Sequence, residues 1–396
     1  MFRRVVAPLL ALAPLAAQST WVVDADGRPG AHFADLPAAV GAAQTGDTLL
    51  VRAASFPYTA FATDKGLRVL GVGDPVLYAP RWVPVVRVTN LPSTATFVID
   101  GFHVPPESSF EVVLAANAGL VVLSHLRALE SCNCGPGVML PPGFAISDCA
   151  QVVVDSCENF GKPAIDVLRS EVAITRTRLG MNAIGVGWGN CLHVDGGRVD
   201  VAESELDASL AMDVLGNAQP AVRLRAGRLR VGATNASYVQ GSTIRGMAFL
   251  QPAIEVGGGD LELDLDVRLN PFAGGGIPLR MLGGTLTVRQ TAMAVVRSAA
   301  IGGVLSADAI TTALAPVVLF AGLPIAPTPT APFGTLWLDP SASLVLGFGT
   351  APASGIVSGA IALPNGLPPG LIVSLQCVAD LGAGLELSSP SLVTLR

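Results

Sequence analysis

The sequence predicts an all-β chain. It reads as a right-handed parallel β-helix of about nine coils with an N-terminal capping helix, followed by a small antiparallel β-sandwich. Three observations lead there. A repeat with a constant internal offset occupies the middle of the chain. Its strands alternate apolar and polar residues with period two. Gly (44) and Pro (30) recur too often among 396 residues to leave room for long helices.

The first element is a secretory signal, expected at residues 1–17. Arg3 and Arg4 precede an apolar run at 5–15, and Ala16 and Ala17 are small enough for cleavage before Gln18. Such a run is too short to cross a bilayer. This predicts a secreted or cell-surface protein. Two longer uncharged stretches, 309–338 and 340–379, are broken by Pro and Gly at intervals that no spanning helix tolerates. The chain is therefore not expected to be an integral membrane protein, despite its high mean hydropathy.

The capping helix is expected within 32–43. Leu36, Ala39, Val40 and Ala43 fall on one helical face, Asp35 is the expected N-cap, and Pro37 lies in the first turn. Gly46 ends it, and the first strand is expected to start at Asp47.

The repeat follows. PAIDV at 163–167, NCLHV at 190–194, PAVRL at 220–224 and PAIEV at 252–256 align without gaps. In each, a second strand begins seven residues after the first apolar position: Ile165 to Val172, Leu192 to Val199, Val222 to Leu229, Ile254 to Leu261. Followed in both directions, the second strand gives nine apolar pairs. These are Leu67/Val69, Phe97/Ile99, Val121/Leu123, Val152/Val154, Val172/Ile174, Val199/Val201, Leu229/Val231, Leu261/Leu263 and Leu286/Val288, with a mean spacing of about 27 residues. Side chains alternate across a strand, so each pair is expected to face inward with a polar residue between them facing outward. Short strands with one apolar face bury it by stacking, which is the solenoid solution. The crossover rule makes the coil right-handed. Expected boundaries are 18–310 for the β-helix and 316–396 for the sandwich. The proline cluster at 324–332 reads as a linker.

The block HFADLPAAVGAAQTGDTLLV, followed by GLRVLGVG at 66–73, resembles the N-terminal cap and first coil of secreted right-handed β-helix proteins of the pectate-lyase-like superfamily. The resemblance covers about 18–300. It implies outward-projecting carboxylates, basic residues and Ca²⁺ ligands as the places where chemistry would sit. Near the C-terminus, IALPNG, LIVSLQ and LSSPSLVTL resemble a module that recurs in secreted proteins of planctomycete-like bacteria.

The outward positions of the aligned strands form two columns. The first holds Asp166, His193, Arg223 and Glu255, the catalytic candidates; the second holds Ala173, Asp200, Arg230 and Glu262, with Asp200 and Arg230 as binding candidates. A carboxylate or His there can act as base, and Arg can hold an acidic sugar. The same residues also suit a solvated face, because Arg223 beside Glu255 and Arg230 beside Glu262 alternate in sign. Trp188, in a Gly-rich loop, is a candidate for stacking on a sugar ring. The active-site motifs of polygalacturonases and pectate lyases are missing.

No cofactor or metal is implied by motif. Asp148, Asp155 and Asp166 are the carboxylates to consider for calcium. Six cysteines in an exported chain predict disulfides, with five of them (Cys132, Cys134, Cys149, Cys157, Cys191) between 132 and 191 and Cys377 apart. With 24 Lys+Arg against 30 Asp+Glu and no basic run, nucleic acid is excluded as a partner. The expected protein is a monomeric, exported, non-catalytic solenoid that binds polysaccharide or cell-surface glycan or serves structurally. The alternative is a carbohydrate-active enzyme, a polysaccharide lyase or glycoside hydrolase, working from the charged column.

Overall fold

Inward aliphatics recur once per repeat, and the strands that carry them lie side by side in parallel. In the computed structural model, Phe97 aligns with Val121, Val152, Val172, Val199, Leu229, Leu261 and Leu286 in turn. Ile99 aligns with the second member of each pair, down to Val288, and with Val69 on its other side. The structure describes residues 18–395 apart from 81, 106–107, 129–141, 160–162, 181–189, 209–219, 233–237, 241–251, 266, 271–277, 332 and 383. The expected signal at 1–17 lies outside the described residues.

Among the described residues the parallel strands form a 17-stranded sheet, a separate seven-stranded sheet and a two-stranded pairing of Tyr58–Thr59 with Leu77–Tyr78. The larger one has two faces, because Ile165–Thr175, Leu192–Ala202 and Val222–Val231 each run on from the first strand position into the second. That continuity is what the offset of seven reports. Inward residues of all three faces share one buried cluster, including Val69, Val104, Leu179, Val194 and Leu206. Each fully buried aliphatic contributes about 1.5–3 kcal/mol relative to exposure.

The corners need left-handed backbone. Early repeats use Asn90, Ala116, Asp148 and Arg169, with φ between 46° and 58°. Later repeats use glycine, and for a second reason. Gly197, Gly227, Gly259 and Gly284 stack on one another with φ near 80°. A Cβ on Gly227 would lie 2.4 Å from the Gly197 carbonyl oxygen, and one on Gly259 would lie 2.3 Å from that of Gly227.

The helix forms as expected over Leu36–Ala42, with Asp35 at its N-cap accepting from the Leu36 N–H at 2.8 Å. Leu36, Ala39, Val40 and Ala43 are buried in the cluster of the parallel stack. Its far end carries a feature that periodicity does not show. Lys65 Nζ donates to the carbonyls of Val40, Gly41 and Ala43 at 3.0, 3.0 and 2.8 Å. One ammonium thus satisfies three orphan carbonyls at the negative end of the helix. The strand Thr20–Val23, which the sequence reading passed over, precedes the helix and pairs with Thr48–Arg52.

The antiparallel part begins earlier than expected. Met293–Ser298 pairs with Val304–Ile310, which pairs with Ile356–Ala362, so antiparallel pairing starts inside the stretch that the sequence assigns to the β-helix. Both strands carry the same small aliphatics as the coils, so composition marks no break there. The proline cluster is not a linker either. Pro316–Thr330 pairs with Gly334–Thr350 along its length, while Ile372–Asp380 pairs only with residues 317–322. Pro324, Pro327 and Pro329 therefore occupy an irregular strand segment with a neighbour on one side only, the kind of edge position where proline is tolerated. The two antiparallel sheets share a second cluster that includes Leu305, Ala307, Leu319, Leu375 and Cys377.

The expectation of disulfides fails for every described cysteine. Cys149, Cys157, Cys191 and Cys377 are free and buried, and Cys132 and Cys134 lie outside the described residues. Each fills a core position as a small apolar group. Cys191 takes the place that Ala164, Ala221 and Ala253 take in neighbouring coils, and its N–H donates to the Ala221 carbonyl at 2.8 Å. Burial raises the thiol pKa at all four, to about 12 at Cys377.

Two outcomes are expected. Gly227→Ala destabilises the fold by about 1–3 kcal/mol, through positive φ and contact with a backbone oxygen, read as a lowered denaturation midpoint. The four buried thiols react with Ellman's reagent only after denaturation.

Candidate functional site

Between the inward residues of the first strands, one outward position per coil remains. The register places Asp166 beside His193, His193 beside Arg223, Arg223 beside Glu255 and Glu255 beside Arg280. The four catalytic candidates of the sequence are thus brought together in one column. His193 Nδ1 lies 2.8 Å from Asp166 Oδ1. Arg223 Nε donates to Glu255 Oε1 at 3.0 Å, and Arg280 Nη1 lies 3.7 Å from Glu255 Oε2.

Asp166, His193, Arg223 and Glu255 are half-buried and line a cleft of about 520 Å³ with Pro163, Asn190, Arg225 and Gly257. Asn190 is pinned by a 2.8 Å hydrogen bond from Nδ2 to the Pro220 carbonyl. The cleft offers carboxylate, imidazole, guanidinium and amide groups on a rigid sheet. Asp166 and Glu255 are three strand spacings apart, roughly 14 Å at about 4.8 Å per strand. The carboxyl pairs of glycosidases stand about 5–9.5 Å apart, so these two cannot act together in that way.

The second column is not an open face. Asp200, Arg230 and Glu262 align as expected, but they are 1%, 4% and 4% exposed. The antiparallel unit covers them. Glu386 Oε1 accepts from Arg230 Nη2 at 2.5 Å, and Glu386 also pairs with Arg289. Glu262 accepts from Arg228 at 2.6 Å and from Arg289 at 2.7 Å. Arg198 lies 2.9 Å from Asp200 and donates to Thr335. The binding candidates Asp200 and Arg230 are therefore groups of an internal interface. Desolvation raises the Glu262 pKa, but the arginines around it outweigh that and hold it below the ordinary value.

Further up the same column the outward residues are apolar. Val98, Val122, Val153 and Ala173 pack with Trp337, Ile372 and Leu392 of the antiparallel unit. This corrects the expectation of a polar residue between each apolar pair. The signal was present in the sequence: FVI, VVL, VVV and VAI at 97–99, 121–123, 152–154 and 172–174 are continuous apolar runs, the pattern of strands covered on both faces. Arg176 belongs to this interface too, donating to Asp155 and, at 3.0 Å, to the Leu392 carbonyl.

The remaining candidates separate. Trp188 lies outside the described residues. The three carboxylates considered for calcium have different partners: Asp148 binds Arg169, Asp155 binds Arg176 and Thr175, and Asp166 binds His193. Among the described residues no group of three or more His, Cys, Asp or Glu is placed to hold a metal ion. One polar cluster went unread in the sequence. His125 Nδ1 lies 2.8 Å from Ser124 Oγ and 2.9 Å from Asp100 Oδ1. Both partners use the same ring nitrogen, whereas a catalytic triad needs one on each.

No family model and no curated protein sequence matches the chain.

The interface makes two measurable demands. Glu386→Ala removes the carboxylate that Arg230 Nη2 and Arg289 share and leaves Arg230 with Glu262 at 3.4 Å and the Leu387 carbonyl, and it is expected to cost about 1.5–3 kcal/mol of stability. The depressed pKa of Glu262 means that its contribution is present above the unfolded glutamate value, about 4.3, and is lost as pH falls through the lower folded value. Glu262→Gln should therefore flatten the acid limb of the stability profile.

Proposed function

We propose that the chain is an exported right-handed parallel β-helix of about nine coils, related to the pectate-lyase-like superfamily, with a C-terminal β-sandwich. It acts as a non-catalytic glycan-binding solenoid at the cell surface or outside the cell. The observation that carries this reading is the first-strand cleft. It gathers Asp166, Asn190, His193, Arg223 and Glu255 on a rigid face, with hydrogen-bonding groups at the repeat distance of the strands. Its charges are already paired, His193 with Asp166 and Arg223 with Glu255. Paired groups of this kind suit polar recognition of hydroxyl and carboxylate groups and leave neither carboxylate free to act as acid or nucleophile.

A second reading rests on one contact. The 2.8 Å hydrogen bond from His193 to Asp166 orients an imidazole beside Arg223, an arrangement able to abstract a proton next to a sugar carboxylate. A polysaccharide lyase would use it so.

A glycan-array screen with the purified protein tests the first reading, followed by titration of the best acidic and neutral hits. Arg223→Ala removes a charge-assisted hydrogen bond of about 1.5–3 kcal/mol and is expected to weaken binding roughly 10- to 100-fold with the fold intact. Absence of binding to every acidic and neutral glycan would defeat that reading. Release of unsaturated sugar ends, lost in His193→Ala, would establish the lyase instead.

A further inference from the structure

We propose that the C-terminal end of the parallel stack is a self-association surface, where two copies of this chain join end to end about a two-fold axis. The core columns run out of cover there. Leu261 and Leu263 are 1% and 5% exposed; their successors one coil on, Leu286 and Val288, are 42% and 52% exposed. On the adjoining face Val256 is fully buried, and its successor Met281 is 37% exposed. Leu265 and Leu282, both 61% exposed, extend the apolar end.

The backbone is open as well. Thr285–Arg289 pairs with Asp260–Asp264, Leu279–Met281 pairs with Ile254–Val256, and among the described residues neither has a strand on its other side. Thr285–Arg289 is weakly guarded as an edge strand: it has no Lys, no Pro and no bulge, and its one charge, Arg289, is taken up by Glu262 and Glu386. The antiparallel unit does not close this end. It lies along the flank, contacting the stack at Gln151, Arg176 and Arg230 and reaching only the last residue of the terminal strand, Arg289.

The occupant follows from the other end. Helix Leu36–Ala42 seals the first coil and Lys65 binds its carbonyls, so the apolar columns of a second copy cannot stack there head to tail. The surface that matches is the same open end of another copy, an isologous contact that closes as a dimer and does not propagate. The terminal strand is compatible with itself. Antiparallel pairing about Thr287 sets Leu286 opposite Val288 and Thr285 opposite Arg289, with no like charges facing. Two copies so joined would cover Leu286 and Val288 of each copy and pair the two Thr285–Arg289 edges.

Sedimentation velocity of the purified full chain over a concentration series tests this. A reversible monomer–dimer equilibrium is expected. Thr287→Lys adds a charge on the outward side, beside the chain's own Glu262, and sets Lys against Lys at the axis. It should weaken dimerisation by about tenfold or more while the circular dichroism spectrum is unchanged. Mixing Thr287→Lys with Thr287→Glu chains should restore dimers, an outcome that misfolding cannot produce. A wild-type chain that stays monomeric, open-ended oligomers, or an unweakened dimer in Thr287→Lys would each overturn the proposal.

Discussion

In-register parallel stacking is the constraint from which the rest of this protein follows. Strands about 4.8 Å apart place equivalent residues of successive coils in contact. A residue type chosen at one position is therefore read again in the next coil. Inward columns must be apolar: aliphatics fill most positions, Phe97 and Phe144 stand in line with them, and cysteine serves as a small apolar filler. Corner columns must accept left-handed backbone. In the later coils they must also admit a neighbouring carbonyl where a Cβ would stand, which leaves glycine.

Outward columns have more freedom, and the two on the larger sheet are put to different uses. The first carries alternating charges and remains partly open, with Asp166, His193, Arg223 and Glu255 compensating one another along the strand-stacking direction. The second changes character along its length, from Val98 to Ala173 and then to Asp200, Arg230 and Glu262. The antiparallel unit matches that change, with Trp337 and Leu392 over the apolar part and Thr335 and Glu386 over the charged part. Burial of opposite charges in this way favours one docking register, because a slip of one coil would leave an arginine or carboxylate desolvated without a partner.

Much of this was legible in the sequence. The nine apolar pairs, the offset of seven, the helix with Asp35 and the alignment of both outward columns depend on alternation and spacing, which are local properties. The cleft residues were found for the same reason. The covered face was missed because the charged positions Asp200, Arg230 and Glu262 look like a solvated surface when read alone. The continuous apolar runs at 97–99, 121–123 and 152–154 pointed the other way. Cysteines were misread because their number suggested crosslinks, while their place in the inward columns suggested packing.

The sequence by itself determined which residues face the core, which strand pairs align and which charges share a column, since the geometry of one strand already implies these. Only the tertiary structure decided which outward face stays open and which is covered. It also decided where parallel pairing gives way to antiparallel sheets and which end of the stack is sealed. Those outcomes depend on contacts between residues more than a hundred positions apart, such as Arg176 with Leu392 and Arg230 with Glu386. Local periodicity carries no record of them.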